Sequence, residues 1–196
     1  MPPRMVLMRH GSTTWSRSGQ HTGRTDIPLL DEGRREAESA GEFVRSGGYD
    51  GFDLVLTSPL RRASESCALA GFGAEAQAEP DLMEWDYGEY EGLTTPEIRQ
   101  RVPGWSLWAD GVPGGERLSD VGRRADRVVA RALAQEGDTL CVAHGHLLRV
   151  LGARWLGLPP VAGRLFQLNA GAVCLLGWDD ERRVVRRWNV LPAAAA

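Results

Sequence analysis

The chain has 196 residues, enough for one domain with a substantial core. Apolar residues make up 42% and charged residues 25%, an ordinary globular balance, and a formal net charge of -3 offers no overall basic field for nucleic acid or an anionic membrane. All 23 basic residues are arginine, and the 3 cysteines, Cys67, Cys141 and Cys174, stand far apart without a CxxC pair, which argues against a disulfide framework or a zinc ribbon. Arg9 and His10 interrupt the first apolar run, so it does not read as a signal segment, and no stretch reaches the roughly 18 apolar residues of a membrane span. The expected compartment is the cytoplasm.

In chain order, Met5 to Met8 is a short apolar run with strand character that ends abruptly in Arg9-His10-Gly11. Gly11 marks a tight exit where backbone can come close to a ligand. The polar stretch Ser12 to Pro28 reads as a long loop, and long ordered loops are often functional. A helix follows to about Arg45, with Asp31 as its N-cap, an apolar stripe at Ala37, Ala40, Phe43 and Val44, and a stop at Gly47-Gly48. Asp53 to Thr57 is a second buried strand. Ser58 is expected to cap the next helix with Pro59 at its first position, running to about Ala70. A short edge strand is expected near Ala76 to Asp81. Leu82 to Pro113 reads as irregular, with one helix near Pro96 to Arg101, and residues 82–115 as an insertion walling a site. Glu116 to Gln135 carries the heptad-like stripe of an amphipathic helix. Thr139 to Ala143 is a third buried strand ending in His144-Gly145-His146, with Leu147 to Leu156 helical. Ala172 to Trp178 and Arg183 to Val190 form two strands joined by a turn at Asp179 to Glu181, and the last four alanines read as a frayed tail. Strands alternating with helices predict an α/β fold, a three-layer α/β/α sandwich with a mostly parallel sheet, in a single domain over residues 1–196.

Three buried strands thus each end in a polar signature: Arg9-His10, Thr57-Ser58 with Arg62 just inside the helix, and His144-Gly145. If the strands are parallel neighbours, two arginines and two histidines meet at one sheet edge, beside helix N-termini that add positive potential. Such a pocket suits a dianionic phosphoryl group. A carboxylate is then needed to protonate a leaving alcohol, and Glu84 is the candidate, with Asp86, Glu89 and Glu91 close enough in sequence to compete.

Arg9-His10-Gly11, Thr22-Gly23, Thr57-Ser58-Pro59-Leu60-Arg61-Arg62-Ala63, Glu84 with Gly88 and Glu91-Gly92, and Ala143-His144-Gly145 occur in the order seen in the histidine phosphatase superfamily, also called phosphoglycerate mutase-like, which this chain resembles from its first strand to residue 145. Ser16 to Gln20, Glu84 to Gly88 and Ala143 to His146 look most like a phosphatase branch that includes actinobacterial acid phosphatases and sedoheptulose-bisphosphatase-like enzymes. The resemblance implies that His10 attacks phosphorus and becomes a phosphohistidine, that Arg9, Arg62 and His144 hold the phosphoryl oxygens, and that Glu84 protonates the leaving oxygen and then activates water. Because the family's pocket arginine precedes the alanine, Arg62 is chosen over Arg61. The implied substrate-binding set is Arg9, Ser16, Thr22, Gly23, Arg24, Arg62, His144 and Gly145, with Arg24 either a surface arginine or the contact to a second anionic group. His21 is expected at the entrance and His146 in the first turn of a helix. Ser12 stands where many members carry Glu, Ser16 where mutases usually have Asn, and Trp85-Asp86 replaces the basic pair that helps mutases bind a bisphosphate. The expected activity is therefore hydrolysis of a small phosphorylated metabolite by a metal-independent phosphomonoesterase. No cofactor, nucleic acid or membrane is expected, and a homodimer is left open. A phosphoglycerate mutase is the alternative. More remote are a metal hydrolase built on His144-x-His146 with His10 and a non-catalytic phospholigand-binding module.

Overall fold

The structure is a computed structural model that describes residues 2–49 and 51–192, so the expected alanine tail, Ala193 to Ala196, lies outside the described residues. Six strands, β1 (Met5–Arg9), β2 (Leu54–Thr57), β3 (Ala76–Ala78), β4 (Thr139–Ala143), β5 (Val173–Asp179) and β6 (Arg182–Val190), form one sheet in the order β3-β2-β4-β1-β5-β6. The pairings β2–β3, β2–β4 and β1–β4 are parallel; β5 runs antiparallel to β1, and β6 antiparallel to β5. The expected mostly parallel α/β sandwich is what forms.

The reason lies in the alternation within unbroken apolar runs. Strands covered on both faces need no polar side. Met5 and Leu7 of β1, Leu54 and Leu56 of β2 and Cys141 and Ala143 of β4 pack in one core with helices α6 (Leu118–Leu133) and α7 (Gly145–Trp155). Val6 and Met8, Val55, and Leu140 and Val142 pack in a second core with α2 (Asp31–Ser46) and α3 (Arg61–Leu69). Successive side chains of the same strands thus feed opposite layers, the signature of a sheet between two helical layers.

Several local expectations are corrected. Asp31 is the first residue of α2, with Leu30 at the cap, so its charge serves the helix dipole rather than a capping hydrogen bond. Ser58 and Pro59 precede α3, which starts at Arg61 with an extended Leu60 before it; the Ser58 hydroxyl accepts from Leu60 N and meets His144 Nε2 instead of capping the helix. The polar loop after β1 contains α1 (Thr14–Ser18), closed by a reciprocal Thr13–Ser16 capping box. The edge strand expected to Asp81 stops at Ala78 and gives way to a 3₁₀ turn at Pro80–Leu82, while the irregular segment holds α4 (Thr95–Arg101) where one helix was expected, and also α5 (Leu107–Asp110) and a 3₁₀ turn at Gly88–Tyr90. A further 3₁₀ turn at Pro160–Leu165 had no expected counterpart. The close approach at Gly11 is to protein backbone: a Cβ there would lie 1.9 Å from Gly33 O in α2. Among the described residues, no helix is long and apolar enough to cross a membrane.

Candidate active site

Parallel register brings the three strand ends to one edge. Arg9 of β1 lies opposite Ala143 of β4, and Thr57 of β2 opposite Val142. The backbone continues this alignment past the strands, with His10 N donating to Ala143 O and Ser58 N to Val142 O, each at 3.0 Å. His10 and His144 consequently face each other with ring centroids 5.2 Å apart.

His10 Nδ1 lies 2.8 Å from Gly11 O, an acceptor, so the ring proton sits on Nδ1 and the Nε2 lone pair is free. Burial, then the charges of Arg9 and Arg62, hold the imidazole well below its usual pKa, keeping it neutral. Ser58 Oγ accepts from Leu60 N and lies 2.7 Å from His144 Nε2. His144 Nδ1, Arg9 Nε and Arg62 Nε are all buried without a hydrogen-bond partner among the described residues. Polar atoms left so are costly, and the charges of Arg9 and Arg62 and the ring of His144 all bear on His10.

Backbone oxygens anchor the terminal nitrogens of Arg62 and one of those of Arg9. Arg62 is fully buried and donates to the backbone oxygens of Thr25 at 2.8 Å, Thr22 at 3.1 Å and Gly23 at 2.8 Å, whereas Arg61 points outward beside Glu65. Gly23 is therefore part of the mount of Arg62: its N–H donates to Glu91 Oε1 at 2.8 Å, and a Cβ would meet Trp85 O at 2.6 Å. Arg9 donates to Leu168 O. Gly145 lets the Arg9 guanidinium pass, since a Cβ there would lie 3.2 Å from Arg9 Cζ. Burial pulls both arginines below the usual guanidinium pKa, with Glu84 opposing the shift.

Glu84 is buried and shares a cleft of about 290 Å³ with Arg9, His10, Ser16, His21, Thr22, Gly145 and His146. Its Oε1 accepts from Trp85 N and Leu147 N, both at 2.9 Å, and its Oε2 accepts from His146 N alone at 3.0 Å. The carboxyl thus sits on the exposed N–H groups at the start of α7. The rival carboxylates are engaged elsewhere: Glu91 takes Gly23 N and Thr25 N, Asp86 takes Gly88 N and faces Arg24, and Glu89 stays at the surface fringe. Arg24 does not line the cleft. Its Nε lies 3.7 Å from Asp86 Oδ2.

Sequence reasoning missed the far wall. Tyr87, Thr95 and Arg149 line the cleft, with Tyr87 OH 2.6 Å from His146 Nδ1 and Arg149 held over the Trp108 ring at 4.8 Å. Arg149 follows His146 by three residues in α7, so helical spacing from the His-Gly-His signature was the available signal. His21 and His146 both belong to this wall, and both are kept neutral by burial, His21 down to about 4. A larger groove of about 730 Å³ lies at the opposite end of β1, between Tyr49 and Trp178, and brings none of these groups together. Among the described residues, no group of three His, Cys, Asp or Glu is placed to hold a metal ion.

The sequence profile of the histidine phosphatase superfamily (branch 1) matches residues 5–191. An acid phosphatase of Mycobacterium tuberculosis is 42% identical over 90% of this chain and 87% of its own length. Sedoheptulose 1,7-bisphosphatase of Saccharomyces cerevisiae is 35% identical over 81% of this chain and 69% of its own. Among solved structures, that of an open reading frame from Mycobacterium tuberculosis superposes with a TM-score of 0.92 at 39% identity, covering 98% of this chain and 100% of the other.

Proposed function

The chain belongs to the histidine phosphatase superfamily, branch 1, and is a phosphatase; we propose that it hydrolyses a small phosphomonoester in two steps through a phosphohistidine at His10, without a metal. In the first step the Nε2 lone pair of His10 forms a bond to phosphorus as the bond to the leaving oxygen breaks, and Glu84 gives that oxygen a proton. In the second, Glu84 takes a proton from water, the water oxygen bonds to phosphorus, and the N–P bond breaks to release phosphate. Dividing a hard displacement in this way lowers each barrier. Arg9, Arg62 and His144 stabilise the charge on the non-reacting phosphoryl oxygens.

One observation carries the proposal: a neutral imidazole with a free Nε2 beside two buried guanidinium N–H groups, of Arg9 and Arg62, and the Nδ1 of His144, all three without a partner among the described residues. Three backbone N–H groups fix the Glu84 carboxyl in the cleft: Oε1 takes two and Oε2 one, which leaves Oε2 the oxygen with room to exchange a proton with substrate or water. Ser16, Thr22 and Gly145 bound the substrate, and Gly23 acts through Arg62. A second anionic group on the substrate falls to Arg149 rather than to Arg24, which faces Asp86. The same reading takes the chain as one domain with residues 82–115 walling the cleft, working in the cytoplasm. The mutase alternative is the weaker, and hydrolysis without a bisphosphoglycerate primer separates the two.

The test is rapid quench with labelled substrate after exhaustive chelation. An acid-labile, base-stable phosphoenzyme is expected, absent in His10→Ala. Near wild-type turnover by His10→Ala would end the proposal.

A further inference from the structure

Glu84 is held from two sides, and only one of them faces the cleft. On the far side stands Arg124, in the middle of α6, buried to 9% exposure. Its Nη1 donates to Asp81 O at 2.7 Å and Met83 O at 2.8 Å, and its Nη2 reaches Glu84 O at 3.5 Å. Its Nε and Nη2 grip the two carboxylate oxygens of Glu116, each at 2.7 Å. Glu116 in turn accepts the Trp85 indole N–H on its backbone oxygen at 2.8 Å, and its N–H donates to Asp86 O at 3.0 Å. The backbone from Asp81 to Asp86 is therefore tied to one buried ion pair, while the α7 N-terminus receives the carboxyl.

We propose that the Arg124–Glu116 pair is a positioning device for the acid–base residue: it sets where the Glu84 carboxyl meets the leaving oxygen, without touching substrate. The inference rests on the reading of Glu84 as the acid. A buried ion pair is weak evidence for stability, because desolvation offsets its attraction, and its better attested use is to fix a register. The geometry here suits that use. A guanidinium has five donors in a rigid fork, and this one spends them on the 3₁₀ turn at Pro80–Leu82, the stretch that follows it and one carboxylate. A 3₁₀ turn and an extended stretch have little regular hydrogen bonding of their own to hold Glu84 in place. A misplacement of about 1 Å can cost on the order of 10²-fold in a positioned step.

The pre-steady-state burst distinguishes positioning from mere folding. The released alcohol is measured with a sugar phosphate that the wild-type protein turns over, and the released phenol with nitrophenyl phosphate, which needs little protonation. Arg124→Met should slow the alcohol burst by on the order of 10–10²-fold and leave the phenol burst within about 3-fold. Arg124→Lys, which keeps the charge but not the fork, should recover part of the loss. Glu84→Gln is the reference. If it separates the two substrates and Arg124→Met slows both equally, or neither, the inference is overturned. If Glu84→Gln itself fails to separate them, the acid reading falls and this inference with it. Should Arg124→Met not fold, Glu116→Gln carries the same comparison with the same deciding outcomes.

Discussion

Two adjacent arginines with nearly the same sequence surroundings take opposite parts. The Arg62 side chain is fully buried on three carbonyls with Nε unpartnered, while that of Arg61 is 65% exposed beside Glu65. Arg62→Ala should lower kcat/KM on the order of 10²–10³-fold, the scale for losing one preorganised donor to developing charge. Arg61→Ala should be nearly silent. The pH profile adds a signed expectation. The Arg62 charge helps to hold His10 below its usual pKa, so removing it lets His10 take a proton more readily. The acid limb of kcat/KM should therefore move to higher pH in Arg62→Ala and stay in place in Arg61→Ala. Equal damage from the two, or an acid limb moving the other way, would contradict this assignment.

Elements meet closely where glycines remove the side chain. The loop after β1 rests on the first turn of α2, and a Cβ at Gly33 would lie 2.2 Å from Ser12 O. Alanine is the better helix former by about 1 kcal/mol, yet the clash is with backbone, which cannot turn aside. Gly33→Ala should thus destabilise by about 1–3 kcal/mol, read as a lower urea midpoint at unchanged slope. A raised midpoint would refute the contact. At Gly145 the obstacle is the Arg9 guanidinium at 3.2 Å, the end of a long side chain. Gly145→Ala should fold normally but bind vanadate more weakly, since Arg9 must shift. Long elements were legible because burial on one or two faces imposes a period on many residues. The five-residue α1 was not, because a single turn has no period to read and its cap uses Ser16 where Glu or Gln is the usual signal.

For the molecule as a whole, all four histidines of the chain, His10, His21, His144 and His146, lie in one cleft wall or beside it. Burial is the leading cause that lowers each of them, well below the usual value for His10, His144 and His146 and to about 4 for His21. Above pH 6.5 neither the folded nor the unfolded chain holds these protons, so nothing is lost. Below it the unfolded chain takes protons that the folded chain refuses, and stability must fall as pH falls until the folded pKa values are reached. Each such group contributes a slope of about 1.4 kcal/mol per pH unit. Thermal melts from pH 7.5 to pH 5 should show a steepening fall in Tm below about pH 6.5. A flat or rising Tm over that range would show that the cleft histidines ionise freely.

The sequence by itself determined the layers and the neighbourhood of His10. Apolar runs that end in Arg9-His10, Thr57-Ser58 and Ala143-His144 specify buried parallel strands, and parallel strands in register can only present their ends at one edge. Tertiary structure alone supplied the partners that hold each of these side chains in place, the carbonyls under Arg62 among them. The motif singles out Glu84, but residue chemistry alone does not separate it from Asp86 or Glu91, because the difference lies in the N-terminus of α7, more than 60 residues away, receiving one carboxyl and not the others. Nor does it show Arg149 lining the cleft while Arg24 turns to Asp86, or Arg124 reaching back to hold the loop before Glu84. A charged side chain goes where burial and a partner together compensate its lost hydration, and those partners are supplied only when distant segments pack.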